Sequence, residues 1–156
     1  MHASYRGTAS FVVNGVDARA RHVTALTTAT GRYDGTFPVG FIDPAGDPTV
    51  RLLVVTTGAW QLDVASPELA PSLAGSGESG RGDAVLSYTG GSVGARVACS
   101  GTGNFTVAAY ARHVLAVLAA TACPFTGSVR LPAGPAFVYV TAGGDWSMSL
   151  EAAGAR

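Results

Sequence analysis

The chain of 156 residues has no lysine; its ten basic residues are all arginine and are balanced by ten acidic ones. Charged side chains make up only 13% of the sequence and the formal net charge is zero. The arginines are scattered rather than striped, so the clustered positive charge that nucleic acid or an anionic membrane selects is missing. Arginine without lysine, beside an excess of alanine and glycine, reads as the codon bias of a GC-rich genome. No apolar run reaches the roughly 18 residues of a membrane-spanning helix, and membrane insertion is not expected. Met1–Arg6 carries no apolar stretch of the kind an export signal needs. Nucleophile elbows of the Gly-x-Ser-x-Gly type, His-Glu-x-x-His pairs and Walker loops are also missing. With three histidines in all, acid–base chemistry has little to draw on. No catalytic residue and no cofactor is expected.

What the chain does have is an internal repeat. Ala20–Thr30 reappears as Ala111–Thr121, with seven of eleven positions identical. The match extends outward from this block. Phe11 faces Phe105, Tyr33 faces Phe125, and Gly58-Ala59-Trp60 faces Gly144-Asp145-Trp146. A repeat of this kind governs the architecture, because each copy must form the same supersecondary unit. The largest gap falls at Asp43-Pro44-Ala45-Gly46-Asp47-Pro48, whose composition is that of a loop. The expected organisation is a first repeat over residues 1–66, a Ser-, Pro- and Gly-rich linker over 67–80, and a second repeat over 81–152.

Within each copy the segments are short and bounded by turns. Val50–Thr56 and Phe137–Thr141 are rich in β-branched residues, while Trp60–Val64 and Trp146–Leu150 alternate with period two. Ala108–Ala122 reads as helix on propensity alone, but its counterpart Ala20–Thr30 is rich in threonine, which suits a pleated strand. Copies of one ancestor share a backbone, so both are taken as strands. The fold expected is all-β: two tandem antiparallel β-sandwich repeats, jelly-roll-like, of about six or seven strands each. Gly80–Tyr88 reads as a first strand of the second copy, and its equivalent in the first copy would lie upstream of Met1. The first repeat therefore lacks its first strand, or the natural chain starts earlier.

In order, the second copy reads Gly82-Asp83-x-Val85, Gly103-Asn104-Phe105-x-Val107, Phe125-x-Gly127-Ser128 and Gly144-Asp145-Trp146-x-Met148. This pattern resembles tandem β-sandwich repeats of uncharacterised secreted bacterial and archaeal proteins. More distantly, it is similar to bacterial pre-peptidase C-terminal domains. The resemblance spans essentially the whole chain, although each motif is short, and it implies a non-catalytic accessory or binding module outside the cell. It carries over no catalytic residue.

Individual residues invite chemical readings that must be set against plainer ones. His22 and His113 are matched, which invites a metal-ligand or catalytic reading, yet neither has a carboxylate or cysteine neighbour at ligand spacing. A structural or surface role fits them better. Asp43 and Asp47, with Asp34 nearby, are weak calcium candidates, because aspartates in Pro-rich turns commonly cap their own backbone. Arg81-Gly82-Asp83 matches the tripeptide that integrins read, but its Gly-Asp pair already belongs to the repeat pattern. Cys99 and Cys123 are both missing from the first copy, which suggests acquisition as a pair. A disulfide and two buried thiols are the alternatives. Phe11, Tyr33, Trp60, Phe105, Phe125 and Trp146 are matched aromatics expected to anchor the cores, with a sugar-stacking platform as the other reading.

The functional expectation is a binding or accessory module that recognises an unidentified protein or glycan. It is placed in the envelope or outside the cell if the natural start lies upstream, and otherwise in the cytoplasm. The alternative is a structural protein that assembles through its sheet edges, where an unpaired strand would favour a homo-oligomer such as a homodimer. A small hydrolase is the least favoured class.

Overall fold

The computed structural model describes residues 1–20, 23–40, 48–75 and 77–151. The fold is all-β, with a 3-10 turn at Pro67–Leu69 as the one helical element among these residues. The chain divides into two compact units, Met1–Ala65 and Ser66–Arg156.

Unit 1 contains β1 (His2–Arg6), β2 (Ser10–Val16), β3 (Val23–Thr30), β4 (Tyr33–Thr36), β5 (Arg51–Val55) and β6 (Ala59–Asp63). They form two antiparallel sheets, ordered β4-β1-β6 and β3-β2-β5. The inner faces meet around Tyr5, Phe11, Val13 and Phe37, all essentially inaccessible to water. The rings of Tyr5 and Phe11 stack across the two sheets with centroids 5.1 Å apart, which makes the unit a sandwich.

Unit 2 contains β7 (Glu78–Arg81), β8 (Ala84–Tyr88), β9 (Val93–Cys99), β10 (Asn104–Ala111), β11 (Val114–Ala122), β12 (Phe125–Leu131), β13 (Ala136–Ala142) and β14 (Asp145–Leu150). Its sheets run β12-β9-β14-β7 and β11-β10-β13-β8. Strand β13 alternates buried and half-buried residues along its whole length, as a strand in the middle of a sandwich sheet does. Leu86, Tyr88, Val97, Phe105, Val138 and Trp146 belong to one continuous core.

The two units share their wiring. Strands β1 to β6 correspond in order and pairing to β9 to β14. Even an irregularity recurs, since the ladder slips after Val13 in β2 and after Val107 in β10, the mark of a β-bulge at the same place. The Ala-rich stretch 108–122 is strand, but as a hairpin rather than a single run. It turns at Arg112 and His113, which hold φ values of 51° and 64°. Two consecutive residues with positive φ define the tight hairpin turn whose twist matches that of the flanking strands.

Two boundaries differ from expectation. Residues 67–80, expected as a linker, hold the 3-10 turn, the buried Leu73 and all but the last residue of β7, so most of this stretch is part of unit 2. Gly80–Tyr88, expected as one strand, is broken at Gly82 (φ +75°) into β7 and β8, which join different sheets. The deficit in unit 1 is thus two strands, one from each sheet, because neither β7 nor β8 has a counterpart among its described residues.

Candidate binding edge

The expected core aromatics separate into two groups. Phe11, Phe105 and Trp146 are buried, and Tyr33 and Phe125 are half-buried beside them. Tyr33 lies 5.6 Å from Phe11 and Phe125 lies 6.3 Å from Phe105, centroid to centroid. Trp60 departs from this pattern. It is 49% exposed, whereas its equivalent Trp146 is 5% exposed.

The reason lies in what covers Trp146. Strand β7 pairs with β14 so that Gly80 stands opposite Trp146. A Cβ on Gly80 would come within 2.9 Å of the indole Cζ2, so the ring lies against the bare backbone of β7. The indole Nε1 then donates to the Gly82 carbonyl at 2.9 Å. Beyond the Gly82 turn, Asp83 is buried and its Oδ1 accepts the Ala142 N–H at 3.3 Å. Strand β8 lays Leu86 and Tyr88 over the core, opposite Val138 and Ala136 of β13. Residues 78–88 are therefore a lid that closes one side of the sandwich. The Arg-Gly-Asp tripeptide lies inside it, with its carboxylate committed to the backbone.

In unit 1 that side is open. Strand β6 ends one sheet and β5 ends the other. By register with β2, Leu52 and Val54 of β5 hold the places of Val138 and Val140, and Leu53 holds that of Tyr139. Leu52 and Val54 are half-buried where their counterparts are fully buried. Val50 and Leu53 are 54% and 50% exposed. Thr56, in the place of Ala142, has a buried Oγ1 with no hydrogen-bond partner among the described residues. The outer edges of β5 and β6, which pair with no further strand among the described residues, flank this apolar seam. No lysine or proline sits on β5 or β6, and these are the residues that commonly guard an exposed edge.

The remaining candidates fall elsewhere. His22, Asp43 and Asp47 lie outside the described residues. Asp34 meets His2 at 3.0 Å, and Asp63 lies 3.8 Å from the other nitrogen of the same exposed ring. His113 is a hairpin-turn residue whose ring meets Tyr110 edge-on, with Nδ1 3.5 Å from the hydroxyl. No cluster of three or more His, Cys, Asp or Glu is placed to hold a metal among the described residues.

Cys99 and Cys123 form a disulfide with Cα atoms 5.7 Å apart. It joins the end of β9 to the turn between β11 and β12. Its place in unit 1 is taken by Tyr5, which has the same partners in register as Cys99. The Tyr5 ring stacks on Phe11 and its hydroxyl donates to the Thr57 carbonyl at 2.8 Å. A covalent clamp in one repeat thus replaces an aromatic one in the other.

The open edge escaped sequence reasoning because Trp60 and Trp146 sit in identical local patterns. The usable signal is the Gly80-Arg81-Gly82-Asp83 segment of the second copy, whose sequence reads as part of a single strand. In comparisons with known proteins, no family model, no curated protein and no solved structure matches this chain.

Proposed function

We propose that the chain is a non-catalytic binding or accessory β-sandwich module, working in an oxidising compartment such as the envelope or the exterior, whose contact surface is the open side of unit 1. The observation that carries this reading is the pair of edge strands β5 and β6, each paired on one side alone among the described residues, with the half-exposed Trp60 on β6. Backbone groups at such an edge bind extended polypeptide by adding a strand, and the pockets between alternate side chains supply selectivity. The Cys99–Cys123 bridge supports the compartment, because disulfides persist where the surroundings are oxidising. The resemblance to secreted repeats points the same way.

Amide hydrogen exchange of the oxidised chain, screened against extended peptides and a set of glycans, tests the assignment. Peptides that slow exchange along 50–63 support it. A glycan that binds while leaving those amides unchanged overturns it. A second reading, assembly of the chain with itself, draws on the same unguarded edge with Leu53 and Val55 exposed. Sedimentation across a concentration series without added ligand separates the two.

A further inference from the structure

The closed side of unit 2 describes what would complete the open side of unit 1. We infer that the occupant is a two-strand polypeptide segment of the Glu78–Tyr88 kind, with the pattern Gly-x-Gly-Asp-x-x-apolar-x-aromatic, supplied from outside the described residues of this chain. This inference deepens the proposed function and rests on it.

The register of the repeats assigns each contact. Trp146 faces Gly80, so Trp60 requires a glycine on the first incoming strand, where any side chain would collide with the indole. Two residues later, the backbone carbonyl that corresponds to Gly82 O would receive the indole N–H. Next comes an aspartate, whose carboxylate would accept the Thr56 N–H as Asp83 accepts that of Ala142. The buried Thr56 hydroxyl, without a hydrogen-bond partner among the described residues, lies at this same position. On the second strand, an apolar residue in the place of Leu86 would cover Leu52, and an aromatic in the place of Tyr88 would cover the exposed Val50. The exposed Val50, Leu53 and Trp60 and the half-buried Leu52 and Val54 all have counterparts that lie beneath or beside β7 and β8. The exposed Val23, by contrast, lies on β3, and Val64 lies beyond the end of β6. Each sheet gains one strand, and both edges close in one event.

The test uses a synthetic peptide spanning residues 71–89 of this chain, added to the intact oxidised protein. Hydrogen exchange read by mass spectrometry follows segments 50–56 and 59–63, and the Trp emission maximum is recorded in parallel. The expected result is saturable protection of both segments together with a blue shift of the indole emission. The same peptide carrying Gly80→Leu should bind at least tenfold more weakly, and a scrambled peptide should give no protection. Protection by the scrambled peptide, equal binding of the Gly80→Leu peptide, or protection of only one of the two strands overturns the inference. So does protection that rises with protein concentration when no peptide is present, which would mean that a second copy is the occupant. If unrelated extended peptides protect the edge and the 71–89 peptide does not, the inference fails while the proposed function stands. If no peptide protects it, both fail.

Discussion

Truncating each tryptophan to alanine should weaken the chain by clearly different amounts. Trp146 is 5% exposed and its indole N–H is bonded to Gly82 O at 2.9 Å. Removing a buried Trp from a packed core costs about 3–5 kcal/mol, with the lost hydrogen bond adding up to about 1 kcal/mol. Trp60 is 49% exposed, so about half of its surface is withdrawn from water. At roughly 25 cal/mol per Å² over roughly half of a 200 Å² side chain, Trp60→Ala should cost about 2.5 kcal/mol. Guanidinium titration followed by far-UV circular dichroism measures each loss. In each single variant the surviving indole belongs to the untouched unit and reports it separately, which matters because a chain of two units need not unfold in one step. The Trp146→Ala loss should exceed the Trp60→Ala loss by about 2 kcal/mol. Losses that agree within about 0.5 kcal/mol would mean that Trp60 is covered in solution as Trp146 is, and the open edge would not exist.

Three further outcomes are expected. Replacing both Cys99 and Cys123 by alanine opens a loop with a sequence separation of 24, and by chain entropy this should lower the stability of unit 2 by about 3.5 kcal/mol at 25 °C; thermal melts of the two units would show this loss in unit 2 and none in unit 1. His113→Gly should stabilise unit 2 by about 1 kcal/mol, because His113 holds φ at 64° in the hairpin turn and glycine takes that conformation without a Cβ penalty; an unchanged or lower denaturation midpoint contradicts this. Burial, and secondarily the Asp83 carboxylate, raise the Tyr139 phenol above its ordinary value of 10.0; its folded pKa thus lies above its unfolded one, so its contribution is complete below pH 10 and declines as pH rises beyond it. Denaturation midpoints at pH 9 and pH 11 should show a fall that shrinks in Tyr139→Phe, and an identical fall in the variant would refute the assignment.

The strands of this fold were readable because two copies vote on each segment. Ala108–Ala122 alone favours helix, and only the threonines of Ala20–Thr30 tip it to strand. The turn inside that stretch was not readable, since Arg112-His113 lacks the Asn-Gly or Asp-Gly signature that marks a tight hairpin. Local pattern also could not separate Trp60 from Trp146, because burial depends on a neighbouring strand that arrives from elsewhere in the chain. Tyr5 and Phe37, both fully buried in unit 1, are not marked as core residues by the sequence for a related reason. Neither has an aromatic counterpart in the second copy, so the repeat gave them no weight. The disulfide was legible as one of two alternatives, from the joint absence of both cysteines in the first copy.

Duplication makes the difference between the units more informative than their likeness. The two sandwiches keep the same strand order, the same bulge and the same matched aromatics, so selection for a stable core accounts for what they share. They differ at one side, where unit 2 carries its own lid and unit 1 presents Val50, Leu53, Val55 and Trp60 to water. A unit of 65 residues sits near the size at which a single core becomes marginal, and leaving the seam open removes area that such a core can ill spare. Simple solubility would favour lysine, proline or an inward charge along β5 and β6, yet Arg51 and Asp63 stand only at the strand ends. An edge that is both costly and unguarded is what a site for strand addition requires, because a guard that repels stray chains would repel the proper one as well.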